Sequence, residues 1–145
     1  MSDLIEQLRQ HWWNQGFTLG NGASESQLKE LESKYQIILP DDFKEYLLSI
    51  NWSRDYDWDG ETISFWTINR INEEALNYRR SEKEHYLVFA DYLISSHEYA
   101  IKLESQATAT SPVFFVYYDC VQAAPSFTEF LEGYMANDMD MLMPK

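Results

Sequence analysis

The chain has 145 residues, of which 45% are hydrophobic and 16% aromatic, enough apolar material for one domain with a buried core. Its 24 acidic and 11 basic residues give a formal net charge of −13, which disfavours binding to a phosphate backbone. Such a charge either suits a basic protein partner or simply keeps the protein soluble. The single cysteine, Cys120, excludes an internal disulfide. The N-terminus lacks the apolar core of a signal peptide and no apolar run has membrane-spanning length, so we expect a cytoplasmic protein.

Three amphipathic helices are predicted in the first third of the chain. The first ends near Gly16, and Trp13 lies off the centre of its apolar face. The second follows Ser24, which forms a capping-box pattern with Gln27, and the third opens at Pro40, a residue tolerated in a first helical turn. The apolar side chains that repeat at helical spacing in these helices are Leu4, Ile5, Leu8, Trp12, Leu28, Leu31, Tyr35, Phe43, Tyr46, Leu47 and Ile50.

The rest of the chain consists mainly of short segments rich in β-branched and aromatic residues. They predict a strand over residues 62–68 and, later in the chain, an antiparallel sheet. Between them, the polar residues 72–80 predict a short surface helix. Ser126 and Glu129 form a second capping-box pattern that opens a closing helix with an apolar face. The later strands are expected at 86–90, 99–103, 113–118 and 121–124, and the apolar face of the closing helix at Phe127, Phe130, Leu131, Tyr134 and Met135. The methionine-rich end, 139–143, either frays or packs.

The residues that commonly carry chemistry do not form a catalytic or metal-binding motif. His11, His85 and His97 lie in three different predicted elements and lack the paired helical spacing of a zinc hydrolase. Cys120 follows Asp119, whose negative charge disfavours a reactive thiolate. No glycine-rich phosphate loop precedes a helix. We therefore expect neither an enzyme nor a bound cofactor.

Residues 55–61 are the sharpest local feature, because carboxylates and aromatic rings alternate there before a glycine turn. Asp-x-Asp-x-Asp-Gly is how a calcium-binding EF-hand loop begins, but that loop would need a glutamate where Trp66 stands and a helix where we predict a strand. In an extended chain, alternation directs the carboxylates to one side and the rings to the other, which suits contact with a basic protein surface. A solvated acidic turn, or rings that fill the core edge, is the structural alternative.

Four short motifs occur in a fixed order along the chain. They are Leu-Pro-Asp-Asp-Phe at 39–43, Trp-Asp-Gly at 58–60, the strand pair Phe-Ala-Asp-Tyr-Leu-Ile at 89–94 with Tyr-Ala-Ile at 99–101, and Ser-Phe-Thr-Glu-Phe-Leu at 126–131. Together they resemble the SUKH superfamily, the Smi/Knr-like domain found mainly as bacterial immunity proteins. The chain differs at Trp52, where many members have glycine, and at 95–98, where Ser-Ser-His-Glu replaces a Gly-Asp turn.

The resemblance implies a single α+β domain over residues 1–145, with a bent, mostly antiparallel or mixed sheet flanked by helices. It implies an immunity protein that neutralises a cognate toxin by protein–protein contact, without a cofactor. Family toxins are often nucleases, whose basic channel would attract an acidic partner. A regulatory domain that recruits a housekeeping partner is the alternative, and the oligomeric state stays open. The residues expected to contact the partner are Asp55, Tyr56, Asp57, Trp58, Asp59, Glu61 and Asp91.

Overall fold

The computed structural model of this chain describes residues 2–52, 58–59, 63–74, 85–93, 96–116 and 120–144. Within these residues the chain forms six helices and five strands. In chain order they are α1 (Ser2–Asn14), α2 (Glu25–Tyr35), α3 (Asp41–Ser49), β1 (Ile63–Phe65), α4 (Ile68–Glu74), β2 (His85–Tyr92), β3 (His97–Leu103), β4 (Val113–Val116), β5 (Cys120–Ala124), α5 (Phe127–Met135) and α6 (Met139–Leu142). Helices and strands are largely segregated along the chain, and the fold is α+β, as predicted.

The strands form one open sheet in the order β1-β2-β3-β4-β5, so that each described strand pairs with the next along the chain. Every pair is antiparallel. The predicted antiparallel sheet is therefore confirmed, and the described strands include no parallel pair. Register shifts between Val88 and Ala90 and between Val113 and Phe114 mark irregularities of the bulge type, which bend and twist strands.

Two predicted helix starts are confirmed by their caps. The Ser24 hydroxyl accepts the Gln27 N–H at 3.1 Å, and the Gln27 side chain accepts the Ser24 N–H at 2.9 Å, which completes a capping box before α2. The Ser126 hydroxyl accepts the Glu129 N–H at 3.0 Å before α5. Local hydrogen bonds thus fix where both helices begin.

The core forms where helices pack on one face of the sheet. Phe89 of β2 meets the rings of Phe43, Phe127 and Phe130 at centroid distances of 5.8, 5.4 and 5.4 Å, all edge to face. Such pairs contribute about 0.5–1.5 kcal/mol each beyond the area that they bury. The side chains predicted to face the core are buried, apart from three that are half-buried, namely Leu4, Tyr35 and Met135.

Two predicted boundaries differ from the structure. The first strand ends at Phe65, and α4 begins at Ile68 because the Thr67 hydroxyl accepts the Arg70 N–H at 3.2 Å and caps the helix there. The predicted helix start at residue 72 was therefore wrong, and residues 75–80 lie outside the described ranges. The methionine-rich end packs, since Leu142 of α6 is buried and its carbonyl accepts the Tyr99 hydroxyl at 2.7 Å.

Gly22 lies against the end of α3, where a side chain does not fit. A Cβ on Gly22 would overlap the carbonyl group of Leu48, whereas a Cβ on Gly20 would come no closer than 3.7 Å to Asn51. We expect Gly22→Ala to lower the free energy of unfolding by about 2 kcal/mol or more, because the backbone must shift. Gly20→Ala is the matched control and should cost less than about 1 kcal/mol. Urea unfolding measures both, and equal losses would contradict the close approach.

Candidate interaction surface

The seven residues predicted to contact a partner do not share one environment. Trp58 is exposed, at 48% of its maximal area, whereas Asp59 and Asp91 are buried, at 4% and 3%. The structure thus places the described ring at the surface and both described carboxylates inside. The other four residues lie outside the described ranges, and their contact role stays a prediction: Asp55, Tyr56, Asp57 and Glu61.

Asp59 is a buried link between the loop and two helices. Its Oδ1 accepts the Ile63 N–H at 3.0 Å, and its Oδ2 accepts the hydroxyl of Tyr134 on α5. The indole N–H of Trp12 on α1 donates to the same Tyr134 hydroxyl at 2.8 Å. The Asp59 N–H also donates to the Ile63 carbonyl at 2.8 Å. Asp59 therefore anchors the backbone next to exposed Trp58.

The Tyr134 hydroxyl is held in its protonated form. Burial, and after it the negative charge of Asp59, raises the pKa of Tyr134 far above its ordinary range. The hydrogen bond to Asp59 acts in the same direction, because only the protonated hydroxyl can donate it. Tyr134 is consequently a permanent donor to Asp59 at physiological pH.

Asp91 joins the sheet to α4. Its Oδ2 accepts the indole N–H of Trp66 at 2.7 Å and lies 3.3 Å from Nη1 of Arg70. The Arg70 guanidinium lies over the Trp66 ring, 3.9 Å from its centroid, and its Nε donates to Glu74 at 2.5 Å. Removing one member of such a buried ion pair leaves the other charge uncompensated, so Asp91 stabilises the fold.

Glu98 is the cross-strand neighbour of Asp91 on β3. Burial, and then the charge of Asp91, raises the pKa of Glu98, with Glu74 acting in the same direction and Arg70 against it. Three carboxylates, those of Glu74, Asp91 and Glu98, thus lie near one guanidinium, that of Arg70. The ionised form of Glu98 is therefore disfavoured in the folded state.

A groove of about 790 Å³ lies between α1, the segment that follows it and the end of α3. Trp13 forms one wall and is 67% exposed, while half-buried Phe17 packs its ring on Trp52 at 4.7 Å. Arg9 bridges the groove, because its Nη2 donates to the Ser49 carbonyl at 2.7 Å. Sequence reasoning did not predict this groove. The one sequence feature that pointed to it was Trp13, an aromatic residue off the centre of the apolar face of the first helix.

No helix in the described ranges is long and apolar enough to cross a membrane. The described residues also contain no cluster of three or more His, Cys, Asp or Glu side chains placed to hold a metal ion. Around Trp66 the structure has strand β1 up to Phe65 and helix α4 from Ile68, but Asp55, Asp57 and Glu61 lie outside the described ranges. The described residues therefore do not test the expectation that this loop binds no cation.

The fold and the residue order can be compared with known families. The model of the SMI1 / KNR4 family (SUKH-1) matches residues 22–133, which include the whole described sheet. The chain belongs to this family. The resemblance predicted from the four motifs is confirmed, and immunity proteins are known among SUKH domains. No curated protein matches the chain.

Most of the residues that line the groove beside α1 precede the range that matches the SUKH family. The groove residues before Gly22 come from α1 and the segment that follows it, and only Gly22, Leu48 and Ser49 fall within the matched range. The groove is therefore built largely by residues outside the SUKH match, packed against residues inside it.

The raised pKa of Glu98 predicts a pH-dependent cost. Because the folded-state pKa lies above the unfolded value of about 4.5, the stability from this group is present below that pH and is lost as pH rises through the folded-state pKa. Glu98→Gln should therefore raise the melting temperature at pH 7 by about 2 °C, a figure discounted for partial exposure, and should change it little at pH 4. Glu73→Gln, exposed on α4, is the control. A gain of equal size at both pH values would count against this origin.

Proposed function

We propose that this SUKH-family chain is an immunity protein, which binds a cognate toxin domain and neutralises it by contact rather than by catalysis. The observation that carries the proposal is the family match over residues 22–133, since immunity proteins are known among SUKH domains. The net charge of −13 supports a partner with a basic surface, such as the nucleic-acid channel of a nuclease. In this proposal the two proteins meet in the cytoplasm.

Trp58 is the described residue best suited to anchor the partner. It is a half-exposed ring beside a backbone that Asp59 ties to Tyr134 and Ile63. A ring on a fixed base loses little conformational freedom on binding, and tryptophan is enriched among residues that dominate binding energy. In this proposal Asp59 positions Trp58 and does not touch the partner.

Charge would act mainly on the rate of encounter. Exposed carboxylates attract a basic surface over a distance that salt shortens, and so they raise the association rate more than they slow dissociation. Asp55, Asp57 and Glu61 remain the proposed charged flank of Trp58. Asp91 drops out of the proposed contact set, because its buried carboxylate pairs with Arg70 and Trp66.

The first experiment identifies the partner and tests its toxicity. The tagged chain is used to capture a stoichiometric partner from the native organism, and the partner is then expressed alone and together with this chain. The proposal predicts a protein that stops growth when alone and is silenced by co-expression. A harmless housekeeping partner would contradict the immunity proposal and support a regulatory domain.

Truncation of Trp58 tests the contact assignment. We expect Trp58→Ala to weaken binding to the captured partner by about 2 kcal/mol, mostly through faster dissociation, because an interfacial anchor is lost. Leu93→Ala is the matched control, since Leu93 is apolar and equally exposed, at 48%. Surface plasmon resonance measures both rates. Equal effects of the two substitutions would remove Trp58 from the proposed interface.

Charge reversal separates the acidic flank from the anchor. Asp55→Lys with Asp57→Lys should slow association about tenfold at low salt and flatten its salt dependence. Asp3→Lys with Glu30→Lys makes the same change in net charge at exposed positions on α1 and α2. Asp59 is left unchanged, because a lysine there would bury an unpaired cation. An equal slowing by the two double variants would indicate diffuse charge rather than a local acidic flank.

A further inference from the structure

The strand β5 leaves one side of its backbone without a strand partner in the described part of the sheet. It pairs only with β4, with a regular register over Cys120–Gln122 opposite Val116–Phe114. Val121 and Gln122 are exposed. An edge strand of this kind directs N–H and C=O groups outward, ready to pair with another extended segment. Neither lysine nor proline, which commonly block such pairing, occurs within β5.

The opposite edge of the sheet is less accessible. All three residues of β1, Ile63–Phe65, are buried. Between the two edges of the described sheet, β5 therefore offers the more exposed side chains.

A concavity of about 480 Å³ lies at the end of β5, between that strand and the helices α5 and α6. Its walls carry three carboxylates, those of Glu129, Glu132 and Asp138, beside the small side chains of Ala123 and Ala124. Residues 120–144 contain a fourth acid, Asp140, and no lysine, arginine or histidine. The local surface is therefore uniformly acidic, unlike α2, where Lys29 and Lys34 accompany the acids.

We propose that β5 and this concavity form a docking edge for an extended, basic segment of a protein partner. The segment would add a strand along Cys120–Gln122 and place a lysine or arginine side chain against Glu129 and Glu132. Backbone pairing gives affinity in this mode, and side-chain pockets beside the edge give specificity. The inference deepens the proposed function, since it assigns a second contact surface to the same binding protein.

Charge selects the occupant of the edge. A second copy of this chain would bring the same carboxylates and a net charge of −13 of its own, so two copies would repel one another here. A nucleic acid would be repelled for the same reason. Exposed Val121 on β5 supplies apolar contact, which an extended segment with alternating basic and apolar residues would match.

The probe for this edge is a capped peptide of about seven residues that alternates lysine and valine, long enough to cover β5. Titration into isotope-labelled protein at low salt, followed by amide chemical shifts, reports where it binds. We expect the largest shifts in β5 and the start of α5, and no binding of the corresponding glutamate–valine peptide. Largest shifts elsewhere would overturn the proposal.

Matched variants separate this edge from the general acidity of the chain. Glu129→Gln with Glu132→Gln should weaken peptide binding about fivefold, whereas Glu25→Gln with Glu30→Gln, the same charge change on α2, should change it less than about twofold. An equal loss in both would overturn the local assignment.

Backbone pairing needs its own control. A lysine–valine peptide with alternate N-methylated amides keeps its charge but cannot pair as a strand, and it should bind at least about tenfold more weakly. Undiminished binding would overturn the strand-addition part of the proposal. None of these measurements uses a toxin, so a failure here is distinct from a failure of the immunity proposal.

Discussion

The buried carboxylate of Asp59 is the group on which the position of exposed Trp58 depends. A carboxylate inside a protein costs several kcal/mol unless hydrogen bonds compensate it, and here they come from the Ile63 N–H and the Tyr134 hydroxyl. Because Tyr134 also accepts the indole N–H of Trp12, one set of hydrogen bonds connects α1, α5 and the first residue of β1. Trp58 directly precedes Asp59 in the chain, so these hydrogen bonds also hold the backbone that carries the exposed ring.

The acidic residues of this chain divide into two groups with different tasks. Asp42, Asp59 and Asp91 are buried and join elements that are distant in sequence; Asp42, for example, accepts the N–H and the hydroxyl of Thr128 at 3.1 and 2.9 Å. Exposed carboxylates, such as that of Glu132, act on the surroundings of the protein instead. Only the second group can steer a basic partner, which is why the acidity of the sequence overstates the number of candidate contacts.

Local signals made much of the fold predictable. Ser24 and Ser126 cap helices through hydrogen bonds that span three residues, so these two helix starts did not depend on distant contacts. Each described strand pairs with the next along the chain, which is the simplest order for an antiparallel sheet. The candidate site was less predictable. Alternation along 55–61 suggested that Asp59 shares a side with other carboxylates, whereas its burial is set by Tyr134, a residue distant in sequence. The groove beside Trp13 likewise needs three segments to meet, which no local pattern specifies.

A double-mutant cycle between Asp59→Asn and Tyr134→Phe tests the central claim most directly. The free energy of unfolding in urea is measured for the parent chain, both single variants and the double variant at neutral pH. The account predicts that each substitution destabilises the protein and that the two are coupled by about 1–3 kcal/mol, because each removes the same charge-assisted hydrogen bond. Asp59→Asn with Tyr46→Phe is the reference pair and should be nearly additive. Additivity of the Asp59 and Tyr134 substitutions within about 0.5 kcal/mol would contradict the account.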